Sequence, residues 1–258
     1  MAPKKQGSMP SVEDRGELSA AIAADLRLLA GLQGKELTAD QLGRLRAHPF
    51  QEYLGLMFRS EAGASGLAAL DDALAAMASD DKATDGVPAT IDLLAADYAD
   101  IYLTGRFRTA PSESAWTHPE GLERQEAMFT VRSWYRRFGL EVENWRVRPD
   151  DHLVVELEFV AHLLESEPAA EGVVRAGSFL DRHLLMWAPA FYARVAARAA
   201  TPYYAALATL GAAYLEEARL ALEELSGQPR EKRASPGDEK RPTEAEPRPY
   251  FPGAAPSW

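Results

Sequence analysis

The chain has no cysteine, which excludes disulfides, thiol catalysis and thiolate metal sites. It has no apolar run long enough to cross a bilayer, and MAPKKQGSMP leads into a polar, acidic stretch without a signal-peptide core, so no stable membrane insertion is expected and the expected location is cytoplasmic. It also lacks positive charge: 28 Lys and Arg stand against 39 Asp and Glu, a formal net charge of −11. Nucleic acid, which is bound through a basic face, is therefore not an expected partner, whereas a basic peptide fits an acidic body. Missing too are a Gly-rich phosphate loop, Gly-x-Ser-x-Gly, His-Glu-x-x-His and any kinase or dinucleotide fingerprint, so no familiar catalytic motif is present.

What is there reads as helix. Strand-like alternation is absent, and apolar residues recur at helical spacing from Glu17 to Gln33 (Ile22, Leu26, Leu29), after a Thr38/Gln41 capping box, from Phe50 to Phe58, and after Ser65 (Leu67, Leu70, Leu74, Met77). A strong pattern runs from Pro88 through Ile91, Leu94, Tyr98, Ile101 and Tyr102 to Gly105, and another from Pro119 to Gly139. Between them, RFRTAPSESAWTHPEG is a loop carrying Trp116. After the polar connection 141–148, the spacing predicts a central helix within Pro149–Leu164, then a helix from Phe179 stopped near Pro189, a short one over Phe191–Arg198 and a last one from Pro202 to about Leu225. The expected fold is all-α, a bundle of about ten helices over residues 17–225. Residues 1–16 are expected to form a disordered lead. The last 33 residues hold seven of the 17 prolines and mixed charge, and 226–258 is expected to be a disordered tail, with Tyr250, Phe251 and Trp258 the large aromatics able to fold back.

The central segment carries the polar residues that need explaining. With Asp150 as N-cap, Leu153, Leu157, Val160 and Leu164 make a core stripe, while Asp151, Glu158 and Glu165 face away. His152 and Glu156 lie one turn apart beside the stripe, and a buried ionisable group without a partner is costly. They are candidates for an acid/base pair, and His152, Glu156, Glu158 and His162 for metal ligands. The projected directions of His152 and His162 differ by about 80°, so a hydrogen-bonded pair is the stronger reading and no metal is expected. Arg136-Arg137 is internal and is read as solvated helix rather than an export motif. Tyr98 and Tyr102, one turn apart, fit ordinary core packing, whereas Trp116 in a polar loop fits the lining of a groove.

Pro149-Asp150-Asp151-His152 followed by Glu156-Leu157-Glu158-Phe159 resembles the Pro-x-Asp-His…Glu-Leu-x-Phe signature of the TorD/DmsD family of redox-enzyme maturation chaperones. Phe179-Leu180-x-x-His183-Leu184-x-x-Trp187-x-Pro189-x-Phe191 is similar to that family's following block, and Tyr203-Tyr204-x-x-Leu207-Ala208-x-Leu210 continues it. Tyr98-Ala-Asp-Ile101-Tyr102 and Pro111-x-Glu113-Ser114 stand where the family has Tyr-x-x-Leu-Phe and Pro-x-Glu-Ser, with Tyr102 in place of Phe. The resemblance covers about residues 17–220. It implies an all-helical cytoplasmic chaperone without enzymatic turnover or cofactor, which holds the twin-arginine signal peptide of a molybdoenzyme, and often the apo-enzyme, until molybdopterin is inserted. It further implies a peptide surface at Tyr98, Ile101, Tyr102, Trp116, Pro149, Asp151 and His152, shaped by Glu156, and a monomer or a domain-swapped dimer with its hinge near 140–149. Weak guanine-nucleotide binding is implied by resemblance alone. A guanine-nucleotide-binding helical enzyme and a plain helical scaffold are the alternatives.

Overall fold

The stripe Leu153, Leu157, Val160 and Leu164 is buried along one side of a helix, and the rest of the architecture is arranged about it. The computed structural model describes residues 12–77, 89–166 and 169–231. Among these, ten α-helices occur and strand pairing is limited to one isolated bridge. They are α1 (Val12–Gly34), α2 (Ala39–Leu45), α3 (Glu61–Ala76), α4 (Thr90–Tyr98), α5 (Ser114–Thr117), α6 (Glu126–Arg137), α7 (Leu153–Ser166), α8 (Ala169–Arg182), α9 (Leu184–Arg198) and α10 (Pro202–Ser226). A 3-10 turn spans Phe50–Tyr53, and α4 runs on as a π-helical turn, Ala99–Leu103. The central α7 packs on α1 and α8, the long α10 on α3, α9 and α8, and a single apolar core joins the two groups.

Several joints are tied by buried acids rather than by apolar contact alone. Asp25 accepts the Gly55 and Leu56 N–H groups at 2.8 and 2.9 Å and the Tyr214 hydroxyl at 3.0 Å, fixing the 3-10 region to α1 and α10. Asp97 accepts the Ala200 and Thr201 N–H groups at 3.0 and 2.8 Å, so the start of α10 is capped from α4. Asp181 and Arg219 make a buried two-pronged pair at 2.8 Å between α8 and α10. Such forked pairs fix geometry as well as charge.

The helix bounds depart from the sequence reading in several places: α8 already starts at Ala169, ahead of the expected Phe179, and the stretch expected to be a loop contains the short α5. Residues 12–16, expected in the lead, are already helical; the rest of the lead lies outside the described residues, as does the tail beyond Glu231. The third helix begins at Glu61 behind Ser60, not Ser65: Ser60 Oγ accepts the Gly63 N–H at 3.1 Å, and Glu217 Oε1 on α10 accepts the Arg59 and Ser60 N–H groups. The helix expected from Pro119 starts at Glu126, after turns at 118–125. Pro189 does not stop a helix either. It lies in the second turn of α9, and the break falls at His183 (φ −124°, ψ −89°), whose side chain turns inward. A proline early in a helix forfeits one hydrogen bond, which the tight packing of Trp187, Ala188 and Phe191 offsets here.

Candidate functional site

The two short motifs that precede α5 and α7 pair with each other. Ser112 and His152 form an isolated antiparallel bridge, with Glu113 N–H donating to Asp151 O at 2.9 Å and Leu153 N–H to Pro111 O at 2.8 Å. The stretch Pro149–His152 is itself a tight turn, closed by the His152 N–H donating to Pro149 O at 3.1 Å. Asp151 then points inward rather than outward. Its Oδ2 accepts the Ser114 N–H at 2.8 Å and the Ser114 hydroxyl, and that hydroxyl in turn accepts the Gln125 N–H at 3.1 Å. The expectation that Asp151 faces solvent fails because α7 starts at Leu153, so a helical projection does not extend to residue 151. Asp150 is not the N-cap for the same reason: it is gripped by Arg132 at 3.1 and 2.8 Å, and its carbonyl accepts the Tyr135 hydroxyl at 2.8 Å.

Beneath this bridge lies a closed cluster of acids. Glu156 is fully buried, and its Oε2 accepts the Trp187 Nε1–H at 3.3 Å, while Glu113 Oε2 is 2.9 Å from His183 Nδ1. Burial pushes the Glu156 carboxyl well above the usual range, and the nearby Glu113 and Asp151 charges push it further the same way. Asp151 is also raised by burial, against the lowering hydrogen bonds of Ser114. Glu156 thus stays protonated where a surface acid would ionise. The His152/Glu156 pair is not made: His152 Nδ1 accepts the Val154 N–H at 3.2 Å, and the Glu156 side chain turns the other way, to Trp187. Neither Glu156 nor Asp151 is exposed to a substrate, so this cluster cannot perform acid/base chemistry on one. Among the described residues no group of His, Asp and Glu is set to hold a metal ion, and Glu158 lies on the exposed side of α7.

On the outer side of the same bridge is an open cavity of about 310 Å³. It brings together four of the residues named from the sequence, Tyr98, Tyr102, Pro149 and His152, with Leu103 and Val147 on its lining. The π turn sets the first two: the Tyr98 and Tyr102 rings lie 4.9 Å apart, tilted by 32°, and the Tyr102 hydroxyl donates to Gln33 Oε1 at 3.3 Å. Turns of this kind insert one residue and re-aim the side chains that follow. The Tyr102 hydroxyl therefore lies inside, not in the cavity, and burial raises its pKa well above the ordinary value. His152, pushed down to about 3 by burial first and by Arg148 second, is a neutral wall.

Four of the expected peptide contacts are not on this surface. Ile101, Asp151 and Glu156 have no exposure at all. Trp116 lies elsewhere: its Nε1–H donates to Ala110 O at 2.8 Å, its ring meets Phe191 edge-on, and the Arg194 guanidinium stacks on it at 4.4 Å. The sequence reading missed Leu103 and Val147, 65% and 78% exposed; two apolar side chains left in water beside a cavity are the signal, and it exists only in three dimensions. It also missed the charge of the rim, where Arg124 and Arg148 line the cavity and Arg124 reaches the Arg146 carbonyl at 2.8 Å.

The fold is all-helical among the described residues, with a sealed acid cluster beneath the Ser112–His152 bridge and an open, partly aromatic cavity on its outer side. Residues 60–193 match the nitrate reductase delta subunit family model, and the chain belongs to that family, which takes in the TorD-like chaperones whose motifs were read above. It is 30% identical over 233 residues to the chaperone protein TorD of Shewanella amazonensis, covering 82% of this chain and 95% of that one. It is 33% identical over 140 residues to the chaperone protein TorD of Vibrio cholerae serotype O1, covering 51% and 63%, and 30% identical over 132 residues to the perchlorate reductase assembly chaperone protein of Dechloromonas aromatica, covering 46% and 59%. The match to the Vibrio cholerae protein thus spans less than two thirds of its length. No helix among the described residues is long and apolar enough to cross a membrane.

Proposed function

We propose that this protein is a cytoplasmic chaperone for the maturation of a molybdopterin-dependent oxidoreductase, holding the twin-arginine signal peptide, the apo-enzyme or both until the cofactor is inserted, and catalysing no reaction of its own. The observation that carries this reading is the cavity of Tyr98, Tyr102, Pro149 and His152, flanked by exposed Leu103 and Val147, in a chain whose relatives are named as chaperones. The apolar part of a leader would bury Leu103 and Val147, and the neutral His152 ring adds no charge to desolvate. The sealed Glu113, Asp151, Glu156 and His183 cluster supports the reading indirectly, because it fixes the two segments that frame the cavity and is itself shut off from solvent. A guanine-nucleotide enzyme has no comparable support: a phosphate loop is missing from the sequence.

Titration calorimetry of the full chain with synthetic twin-arginine leaders from molybdoenzymes of the same genome tests the proposal. One leader should bind at low micromolar Kd or better, and a scrambled version of it should not. Failure of every such leader to bind would remove the peptide-holding part of the proposal.

A further inference from the structure

The chain leaving α10 is strapped to the body rather than released into solvent. Gly227 turns it back (φ 68°), Arg230 pairs with Glu216 at 2.6 Å, and the Glu231 N–H donates to Asp181 Oδ2 at 2.9 Å. The Glu231 carboxylate takes Arg182 and Ser178, both at 2.9 Å. Arg182 in turn lines a second cavity together with Glu113 and Gln125, the sequence neighbours of Ser112 and Arg124 in the first.

Beyond that point the sequence contains Glu244-Ala-Glu246-Pro-Arg-Pro-Tyr250-Phe251, two acids followed shortly by two aromatics. The first cavity presents the complement: an aromatic, apolar wall and the rim arginines Arg124 and Arg148, with Glu123 the acid among its lining residues. That rim is unusual in a chain of net charge −11, and it does not suit the arginines of a leader. Tyr250 lies nineteen positions beyond Glu231, a reach of about 60 Å for a proline-rich segment. A body of this size has a radius of gyration of only about 17 Å, so the cavity is within reach.

We propose that residues 244–251 of this chain dock in the Tyr98–Tyr102 cavity, Tyr250 and Phe251 against the apolar wall and Glu244 and Glu246 against the arginine rim, as a resident occupant that a client must displace. The competitive role rests on the peptide-binding function proposed above; the docking itself does not. An intramolecular occupant of modest affinity lowers the apparent affinity of every competitor by the fraction of time it is bound, which sharpens discrimination between a strong client and weak ones.

The absence of native cysteine makes a direct test possible in the full chain. Val147→Cys/Phe251→Cys and Met57→Cys/Phe251→Cys place one thiol on the tail and the other on an exposed site, respectively beside the cavity and on a separate apolar patch. Leu103→Cys replaces Val147→Cys should that variant misfold. Under mild oxidation in dilute solution the cavity pair should close an intramolecular disulfide about tenfold faster than the control pair, because docking raises its effective concentration. Equal rates, or a faster control, would overturn the docking. Tyr250→Ala/Phe251→Ala should tighten leader binding about threefold or more; unchanged affinity beside a selective cross-link would overturn the competitive role. A leader that binds no variant would count against the function proposed above while the cross-link still decides the docking.

Discussion

Trp187 Nε1–H donates to Glu156 Oε2 across the α7–α9 interface at 3.3 Å, and both residues are shut off from solvent. The acceptor is an acid whose pKa burial raises well above its ordinary range. A raised carboxyl contributes stability that is fully present below its unfolded pKa and is lost as pH climbs toward the folded value, since the unfolded chain releases a proton that the folded one keeps. Glu156→Gln keeps an oxygen to accept from Trp187 and has no proton to lose. We expect the variant to melt about 2 to 4 °C higher than the parent at pH 8, with the gap closing toward pH 4.5. A gap that does not shrink at low pH would mean that ionisation of Glu156 is not the cause.

His152 acts in the opposite sense. Its ring is held neutral down to about pH 3, whereas an unfolded histidine gains its proton near pH 6.5. The unfolded state therefore binds the extra proton between those values, and stability is lost as pH falls below about 6.5. His152→Gln offers an amide oxygen to the Val154 N–H that the ring now accepts, without the titration. The parent's urea midpoint should fall from pH 7 to pH 5 more steeply than that of the variant, and parallel profiles would refute the assignment.

Arg132 and Asp150 form a forked pair in which the aspartate is buried and the arginine half-shielded between the Phe129 and Trp145 rings. Removing the arginine strands a buried carboxylate, which costs about 3 to 5 kcal/mol. Arg132→Ala should show a loss of this order in chemical denaturation, and Arg132→Lys should recover only part of it, because an ammonium cannot match the fork. Full recovery by lysine would reduce the pair to simple charge neutralisation.

The helices were legible because their apolar periodicity is strong, and so were two of their stops: Gly105 and Gly139 adopt φ of 63° and 69° where the chain turns. The start of α3 was not legible for a physical reason. Gly63 and Gly66 look like loop residues, yet a Cβ on Gly66 would come within 3.1 Å of the Leu210 backbone, and one on Gly63 would strike the Phe58 ring at 2.1 Å; here glycine serves close packing inside a helix. Around the site, the sequence brought forward residue types correctly and their exposure poorly. Tyr98, Tyr102, Pro149 and His152 share a cavity, but Asp151 and Glu156 are internal struts because the 111–114 segment covers them, a contact between residues nearly forty positions apart. Trp116 is turned from that cavity by Arg194 and Phe191, on a helix about 75 residues downstream. No local pattern encodes either contact.

Gly66 itself offers a test of that close approach. Alanine has the better helix propensity, by about 1 kcal/mol, and on an isolated helix Gly66→Ala would stabilise. Here the added methyl meets backbone that cannot rotate away, so we expect a net loss of about 1 to 3 kcal/mol from separating α3 and α10. A more stable variant would show that the two helices are freer to part than their contact suggests.

Apolar and electrostatic recognition differ in their response to salt. Leu103 and Val147 stand exposed beside the cavity, and covering each with the apolar stretch of a leader would contribute on the order of 1 kcal/mol at 25 cal/mol per Å². This term does not depend on ionic strength, whereas exposed charge pairs contribute less than about 1 kcal/mol each and are screened by salt. The rim arginines Arg124 and Arg148 repel a basic leader, so added salt should if anything help its binding slightly. Leader affinity should accordingly change less than about threefold between 50 and 300 mM salt, while Leu103→Ser/Val147→Ser weakens it about tenfold or more without moving the melting temperature, both sites being on the surface. Trp116→Ala, remote from the cavity, should leave affinity unchanged. The measurement is tryptophan-fluorescence or calorimetric titration of each variant at both salt concentrations. A loss of affinity with Trp116→Ala, and none with the Leu103/Val147 variant, would move the peptide surface to the α5–α9 side of the 111–117 turn, where Arg194 and Phe191 lie.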